Sequence, residues 1–344
     1  MDFTIASILA LDGLTNGAVY ALLALATVLV FAVTRVIFIP QGEFVAFGAL
    51  TLAALQQGQA PATVHFLLLL TALVALLDGW AAWRGRQGGR GLGRVAVQAL
   101  PGLLIGLLAL WAAPRQWPLP LQAALSLAIV TPMGAKIYRL AYQSLADASV
   151  LVLLIVSVGV HFALTGLGLV FFGAEGSRNP PFWDANFSAG ALSLSGQTVI
   201  IMVAALALIS ALWLFFEHSL RGKALRATAV NRLGARLMGI SSTAAGQQAF
   251  TLAAFIGALS GLLISPTTTI FYDSGFLIGL KGFVAAVFAG LASYPGAALG
   301  AVLVGLLESF SSFWASAYKE VIVFTSILPV LLWRSLRDPH GEEH

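Results

Sequence analysis

Long apolar runs alternate with short polar stretches along the whole chain. Eleven such runs fall near residues 8–33, 42–56, 64–83, 95–113, 119–135, 149–172, 196–216, 246–265, 277–292, 297–314 and 320–333. Crossing a ~30 Å hydrocarbon layer takes about 20 apolar residues as a helix. Lipid offers no hydrogen-bond partners, so a spanning segment must be a helix or part of a closed barrel. The runs are continuous rather than ten-residue segments of alternating polarity, which favours helices. The expected fold is an all-α polytopic membrane bundle of about 11 hydrophobic segments, one transmembrane domain over 1–344. Segments 42–56 and 277–292 are short, so each is expected to be broken or re-entrant.

Composition agrees: 59% of the 344 residues are hydrophobic and only 9% are charged, with mean hydropathy +0.93. Threading the runs with the N-terminus outside and the C-terminus in the cytoplasm places fourteen of the 18 cations in inner connections. Those are Arg35, Arg84, Arg86, Arg90, Arg94, Lys136, Arg139, five central cations, Arg334 and Arg337. Outer loops then hold Arg115, Arg178 and Lys319, with Lys281 near the outer end of a span. This bias follows the preference for cationic inner loops, and it reads the pI of about 9.6 as orientation rather than nucleic-acid binding. The chain has no cysteine, so disulfides and thiolate metal sites are excluded. It opens with Asp2 and has no cation before Arg35, which does not resemble a cleaved leader.

Enzymatic motifs are scarce. There is no GxxxxGK[ST] phosphate loop, and GGRGLG at Gly88 to Gly93 sits between two runs as a flexible basic turn. No HExxH occurs, and the sequence calls for neither a metal nor a cofactor. Ser157 and His161 share a helix face at i and i+4, but no neighbouring carboxylate is there to orient the imidazole for nucleophilic catalysis. His65 reads as interfacial. The longest outer connection, Gly173 to Ser195, is rich in Pro, Gly and Asn/Asp, which break helices. Its Phe182, Trp183 and Phe187 suit an interfacial anchor or a docking surface for an extracytoplasmic binding protein. Asn186-Phe187-Ser188 matches the glycosylation triplet.

Residues 217–245 stand apart. The sequence EHSLRGKALRATAVNRLGARLMGISST (Glu217 to Thr243) carries Arg221, Lys223, Arg226, Arg232 and Arg236. Gly222 to Ala229 and Arg232 to Met238 are rich in helix formers. Gly239 is placed to end the helix in a left-handed turn, and Ser241, Ser242 or Thr243 to cap the next. Leu225, Leu233, Leu237 and Met238 supply an apolar side. Composition alone allows a merely solvated loop; a helical amphipathic element outside the bilayer also suits a partner.

LRGKALRATAVNRLGARLMGI resembles the cytoplasmic coupling segment of branched-chain amino-acid ABC transporter permeases of the LIV-H type. So do GLKGFVAAVFAGLASYPGAALGAVLVGLLE, NGAVYALLALATVLVFAVTRVIFIPQGEFVAFGAL and KIYRLAYQSLADASVLVLLIVSVGVHF, in the family's order and over about three quarters of the chain. The resemblance implies a permease subunit of an ATP-driven importer in the bacterial inner membrane, not an enzyme. Expected partners are cytoplasmic ATP-binding subunits, a second permease subunit and an extracytoplasmic solute-binding protein. It assigns 217–245 to ATPase coupling, with Arg221, Gly222, Lys223, Leu225, Arg226, Asn231, Arg232, Arg236, Leu237 and Gly239 as the coupling residues. Gln41 stands where the family commonly has histidine, and Val230 where it commonly has an acidic residue. An extra hairpin occupies 57–120, and the C-terminal RSLRDPHGEEH lacks the family's usual finish.

Polar groups inside apolar runs cost about 2.5–3.5 kcal/mol each when charged, so they face a cavity or a partner. Asn16, Gln41, Gly42, Glu43, Lys281 and Glu308 are the expected pathway residues. Gln41 to Glu43 follow Pro40, where a helix break exposes backbone groups to solute; Glu43 and Lys281 are a possible pair. Alternatives are a urea or short-amide permease, an intramembrane hydrolase using Ser157 and His161, and a passive channel.

Overall fold

The computed structural model describes residues 3–85, 88–189 and 192–337. Fourteen α-helices run in chain order through these residues: α1 (Phe3–Thr34), α2 (Glu43–Gln56), α3 (Ala62–Arg84), α4 (Gly88–Ala112), α5 (Leu119–Ile137), α6 (Val150–Phe172) and α7 (Gly196–His218). Then come α8 (Leu220–Val230), α9 (Arg232–Leu237), α10 (Ser242–Ile264), α11 (Ser274–Phe288), α12 (Tyr294–Trp314), α13 (Lys319–Thr325) and α14 (Ile327–Arg337). The protein is an all-α, multi-pass membrane bundle. Among the described residues, eight segments are long and apolar enough to cross a bilayer: Thr4–Thr34, Ala62–Arg84, Val95–Arg115, Val150–Phe172, Gly196–His218, Ser242–Ile264, Tyr294–Trp314 and Ser316–Trp333.

The other three apolar runs behave differently. Helices α2 and α11, of 14 and 15 residues, reach only about 21–23 Å at 1.5 Å per residue, so neither crosses the layer alone. Helix α5 has 19 residues, but Pro120, Gln122, Ser126, Thr131, Pro132 and Lys136 dilute its apolar character.

Burial sorts the helices. Central α1 packs on α12, α10, α11 and α7, and α10 packs on α5 and α2. An aromatic cluster of Phe38, Phe44, Tyr138, Tyr142 and Phe250 fills the space between them, Phe38 and Phe250 having centroids 4.6 Å apart. Outer helices α3, α4, α6 and α7 expose Leu76, Leu107, Phe162 and Leu206, side chains suited to lipid. The 62–112 hairpin packs α3 inward through Phe66, Leu67 and Leu70, while α4 exposes Leu104, Leu107 and Trp111. Asp78 of α3 accepts from Arg139 Nε at 2.9 Å, tying the hairpin to the turn after α5.

Helix starts follow the cap chemistry. Ser149, Ser195, Ser219, Asn231, Ser241 and Ser293 each accept an amide of the following first turn, satisfying a donor the helix leaves open. The described residues of the 173–195 connection are non-helical and contain an antiparallel pair, β1 (Asn186–Ala189) with β2 (Leu192–Ser195). Buried Asn179 anchors it, donating to Ala49 O at 3.0 Å and Ser265 Oγ at 2.9 Å.

Candidate transport pathway and coupling segment

The chain breaks between α1 and α2. Thr34 ends α1, Arg35 takes the left-handed region at φ 61°, and Ile39–Gly42 forms a single 3₁₀ turn before α2 begins at Glu43. Gln41 is buried: its Nε2 donates to Ala253 O at 2.9 Å, while its Oε1 has no partner. Glu43 is fully enclosed in the first turn of α2, the helix end that favours negative charge. Its Oε1 meets His161 Nδ1 at 2.8 Å, and its Oε2 has no partner. Gly42 lies against the start of α11, where a Cβ would sit 1.9 Å from Gly275 O. Only glycines on both sides allow this approach.

This arrangement corrects one expectation and sets one alternative aside. Glu43 does not pair with Lys281; Lys281 Nζ reaches Glu308 Oε1 at 2.5 Å and Glu320 Oε1 at 3.1 Å. The reason is rotational. Gly275 and Gly279 turn one face of α11 toward Gly42, and Lys281, two residues on, points about 200° away, toward α12. Nor do Ser157 and His161 form a nucleophile–base pair. Ser157 Oγ hydrogen-bonds Tyr142 Oη at 3.1 Å, and the carboxylate beside His161 is Glu43, from a distant part of the chain.

Around Lys281 the sequence reading missed Tyr20 and Glu320. Tyr20 Oη donates to Glu308 Oε2 at 2.5 Å; Glu320, in the first turn of α13, completes the cluster. A lone tyrosine in an apolar run gave no signal, whereas an acid beginning an apolar run did. A cavity of about 380 Å³ adjoins the cluster, lined by Asn16, Tyr20, Lys281, Glu308, Lys319, Glu320 and the Ile264–Ile278 region. A second of about 380 Å³ shares Asn16, Thr267, Glu308 and Lys319 and adds Asp12. Thus Asn16, Lys281 and Glu308 come together, while Gln41, Gly42 and Glu43 form a separate group nearer the bundle centre.

At the opposite end of α1 and α10 lies the basic insert, α8 and α9. Leu225 is buried against Leu29, Val33, Phe216, Ala245 and Ala249, and Gly222 sits tight on Phe215 O; both seat the insert on the bundle. Arg226 pairs with Glu217 at 2.8 Å. Arg232 donates to Ala146 O at 2.8 Å, and Arg236 pairs with Asp147 at 3.1 Å, clamping α9 to the α5–α6 connection. Asn231 caps α9 through Gly234 N at 2.8 Å. Gly239, at φ 81°, ends the element, and Ser241 caps α10. Arg221, Lys223 and Leu237 are exposed, as are Leu220, Val230, Leu233 and Met238. Between α8 and α9 runs a groove lined by Lys223, Ala227, Val230, Gly234 and Met238.

Residues 95–331 match the family described as branched-chain amino acid transport system / permease component. The high-affinity branched-chain amino acid transport system permease protein BraD of Pseudomonas aeruginosa is 27% identical over 336 residues, covering 94% of this chain and 92% of that protein. The corresponding LivH protein of Escherichia coli K12 is 31% identical over 217 residues, covering 60% and 70%. A probable branched-chain amino acid transport permease protein LivH of Methanocaldococcus jannaschii is 26% identical over 219 residues, also covering 60% and 70%.

Proposed function

From the premise that the chain belongs to the branched-chain amino acid transport permease family, we propose that it lines one half of an alternating-access pathway for branched-chain amino acids. It is a permease subunit of an ABC importer and not an enzyme. Its system employs ATP-binding and solute-binding components. In our reading the ATP-binding subunits are separate cytoplasmic proteins, the solute-binding protein is extracytoplasmic, and a second permease subunit completes the pathway in a bacterial inner membrane.

One observation carries this reading: polar cavities with ionised walls lie at one end of α1 and α10, and a helical insert with exposed apolar side chains lies at the other. Solute enters at the first end, beside Asn16, Lys281 and Glu308. The ATP-binding subunit docks on the second, over Leu233, Leu237 and Met238, with Arg221 and Lys223 flanking. Leu225, Gly222, Arg226, Asn231, Arg232, Arg236 and Gly239 give the docking element its shape and its attachment to the bundle. Movement there passes into α7 and α10, which continue directly from the insert. The 57–120 hairpin belongs to the periphery of the permease.

Uptake by the reconstituted complex tests the proposal. Proteoliposomes with ATP inside and the binding protein outside are expected to accumulate labelled leucine; accumulation without ATP, or none with every component present, overturns it.

A further inference from the structure

Resting on the reading of the chain as part of an amino-acid importer, we propose that the cavity at Lys281, Glu308 and Glu320 is a solute site for a small apolar zwitterion. Lys281 binds its α-carboxylate and Glu320 its α-ammonium. The unused valences of the cluster carry the assignment. A lysine ammonium has three N–H donors and no acceptor. Lys281, 5% exposed, gives one donor to Glu308 Oε1 and one to Glu320 Oε1, so one remains. Glu308 has both oxygens engaged, by Lys281 and by Tyr20. Glu320 has one engaged, and its Oε2 is buried without a partner.

One open donor on a cation therefore stands beside one open acceptor on an anion, both on residues lining the same cavity. A simple cation would satisfy Glu320 and leave the Lys281 donor idle. With Lys319 on the same wall the cavity holds two carboxylates and two ammonium groups, so an anion alone would leave a net negative charge and Glu320 Oε2 still open. A zwitterion fills both valences and leaves the local charge unchanged, which matters where charge is poorly solvated. The adjoining cavity shares Lys319 and adds Asp12. The remaining wall includes Ile264, Ile270, Leu277 and Ile278, a surface for an aliphatic side chain, and the volume falls in the range of small-molecule sites.

Direct binding to the assembled transporter in lipid nanodiscs, without the binding protein, tests the site. The probe is radiolabelled leucine, with 4-methylpentanoate (no ammonium) and 3-methylbutylamine (no carboxylate) as competitors. Each analogue is expected to compete at least about tenfold more weakly than leucine, the cost of leaving a charged group unpaired. Lys281→Met is expected to weaken leucine binding by about tenfold or more and to remove the penalty on the amine. Glu320→Gln should remove the penalty on 4-methylpentanoate instead, and Lys281→Arg should retain wild-type preference. Unchanged binding in both neutralised variants, or equal competition by the analogues at the wild type, overturns the site. If ATP-driven uptake persists in that case, the importer reading stands and only the site falls; if the wild type neither binds nor accumulates leucine, both fall.

Discussion

Glu43 and His161 are 118 residues apart in sequence, yet Glu43 Oε1 and His161 Nδ1 lie 2.8 Å apart inside the bundle. Their contact joins the start of α2 to the middle of α6, beside the backbone break that follows α1. Removing one member of such a buried pair leaves the other without compensation.

His161→Ala is expected to cost about 1–3 kcal/mol of stability, because a buried carboxyl oxygen loses its hydrogen-bond partner, and Glu43→Gln less, because an amide still offers a hydrogen bond. The double variant should be less unstable than the two single effects summed. Thermal unfolding of the purified protein in detergent measures this; additive losses would show that the contact contributes nothing of its own.

Gly42→Ala should disrupt the meeting of α2 and α11, because the new methyl would fall 1.9 Å from Gly275 O. A loss of about 1–3 kcal/mol or more is expected from overpacking. Gly79→Ala, with nothing within 4 Å of its Cβ position, is the control and should not reduce stability. Equal unfolding temperatures for the two variants would contradict the close approach.

Attachment and docking of the insert separate by mutation. Leu225→Ala, in the buried cluster, should cost about 2–5 kcal/mol. Leu237→Asp and Met238→Asp, both on exposed side chains, should stay within about 0.5 kcal/mol of wild type while losing co-purification of the ATP-binding subunit. Retained association in the double aspartate variant would remove this surface from consideration.

A chain with no cysteine suits accessibility labelling. Leu233→Cys, on the insert, is expected to react with membrane-impermeant maleimide only in inverted vesicles, and Thr268→Cys, at the cavity end, only in intact cells. The reverse pattern would invert the bundle and end the coupling proposal.

Much of the fold was legible because apolar length is a strong signal: every one of the eleven runs holds a helix. The half-length helices were also legible, since 42–56 and 277–292 are short in the sequence itself. The turn at Gly239 could be read because the chemistry there is local, and the cap of α10 was narrowed to Ser241, Ser242 or Thr243, of which Ser241 serves. Pairings were not. Whether Glu43 meets Lys281 or His161 depends on how α11 rotates, and that is fixed by Gly275 and Gly279 pressing on Gly42, a contact between distant segments. Tyr20 escaped notice for the same reason, its role existing only once α1, α11 and α12 converge, whereas Glu320, an acid opening an apolar run, carried a signal that went unread. In the insert, the residues read as one apolar side divide: Leu225 is buried on the bundle, while Leu233, Leu237 and Met238 are exposed.

Helix α11 carries Gly275 and Gly279 against the Pro40–Gly42 turn and, on its other side, Lys281 among the carboxylates. No side chain cushions the glycine contact, so the backbones of α11 and the turn meet directly. In the proposed pathway, a tilt of α11 that repositioned the ammonium would therefore also shift the backbone beside Glu43.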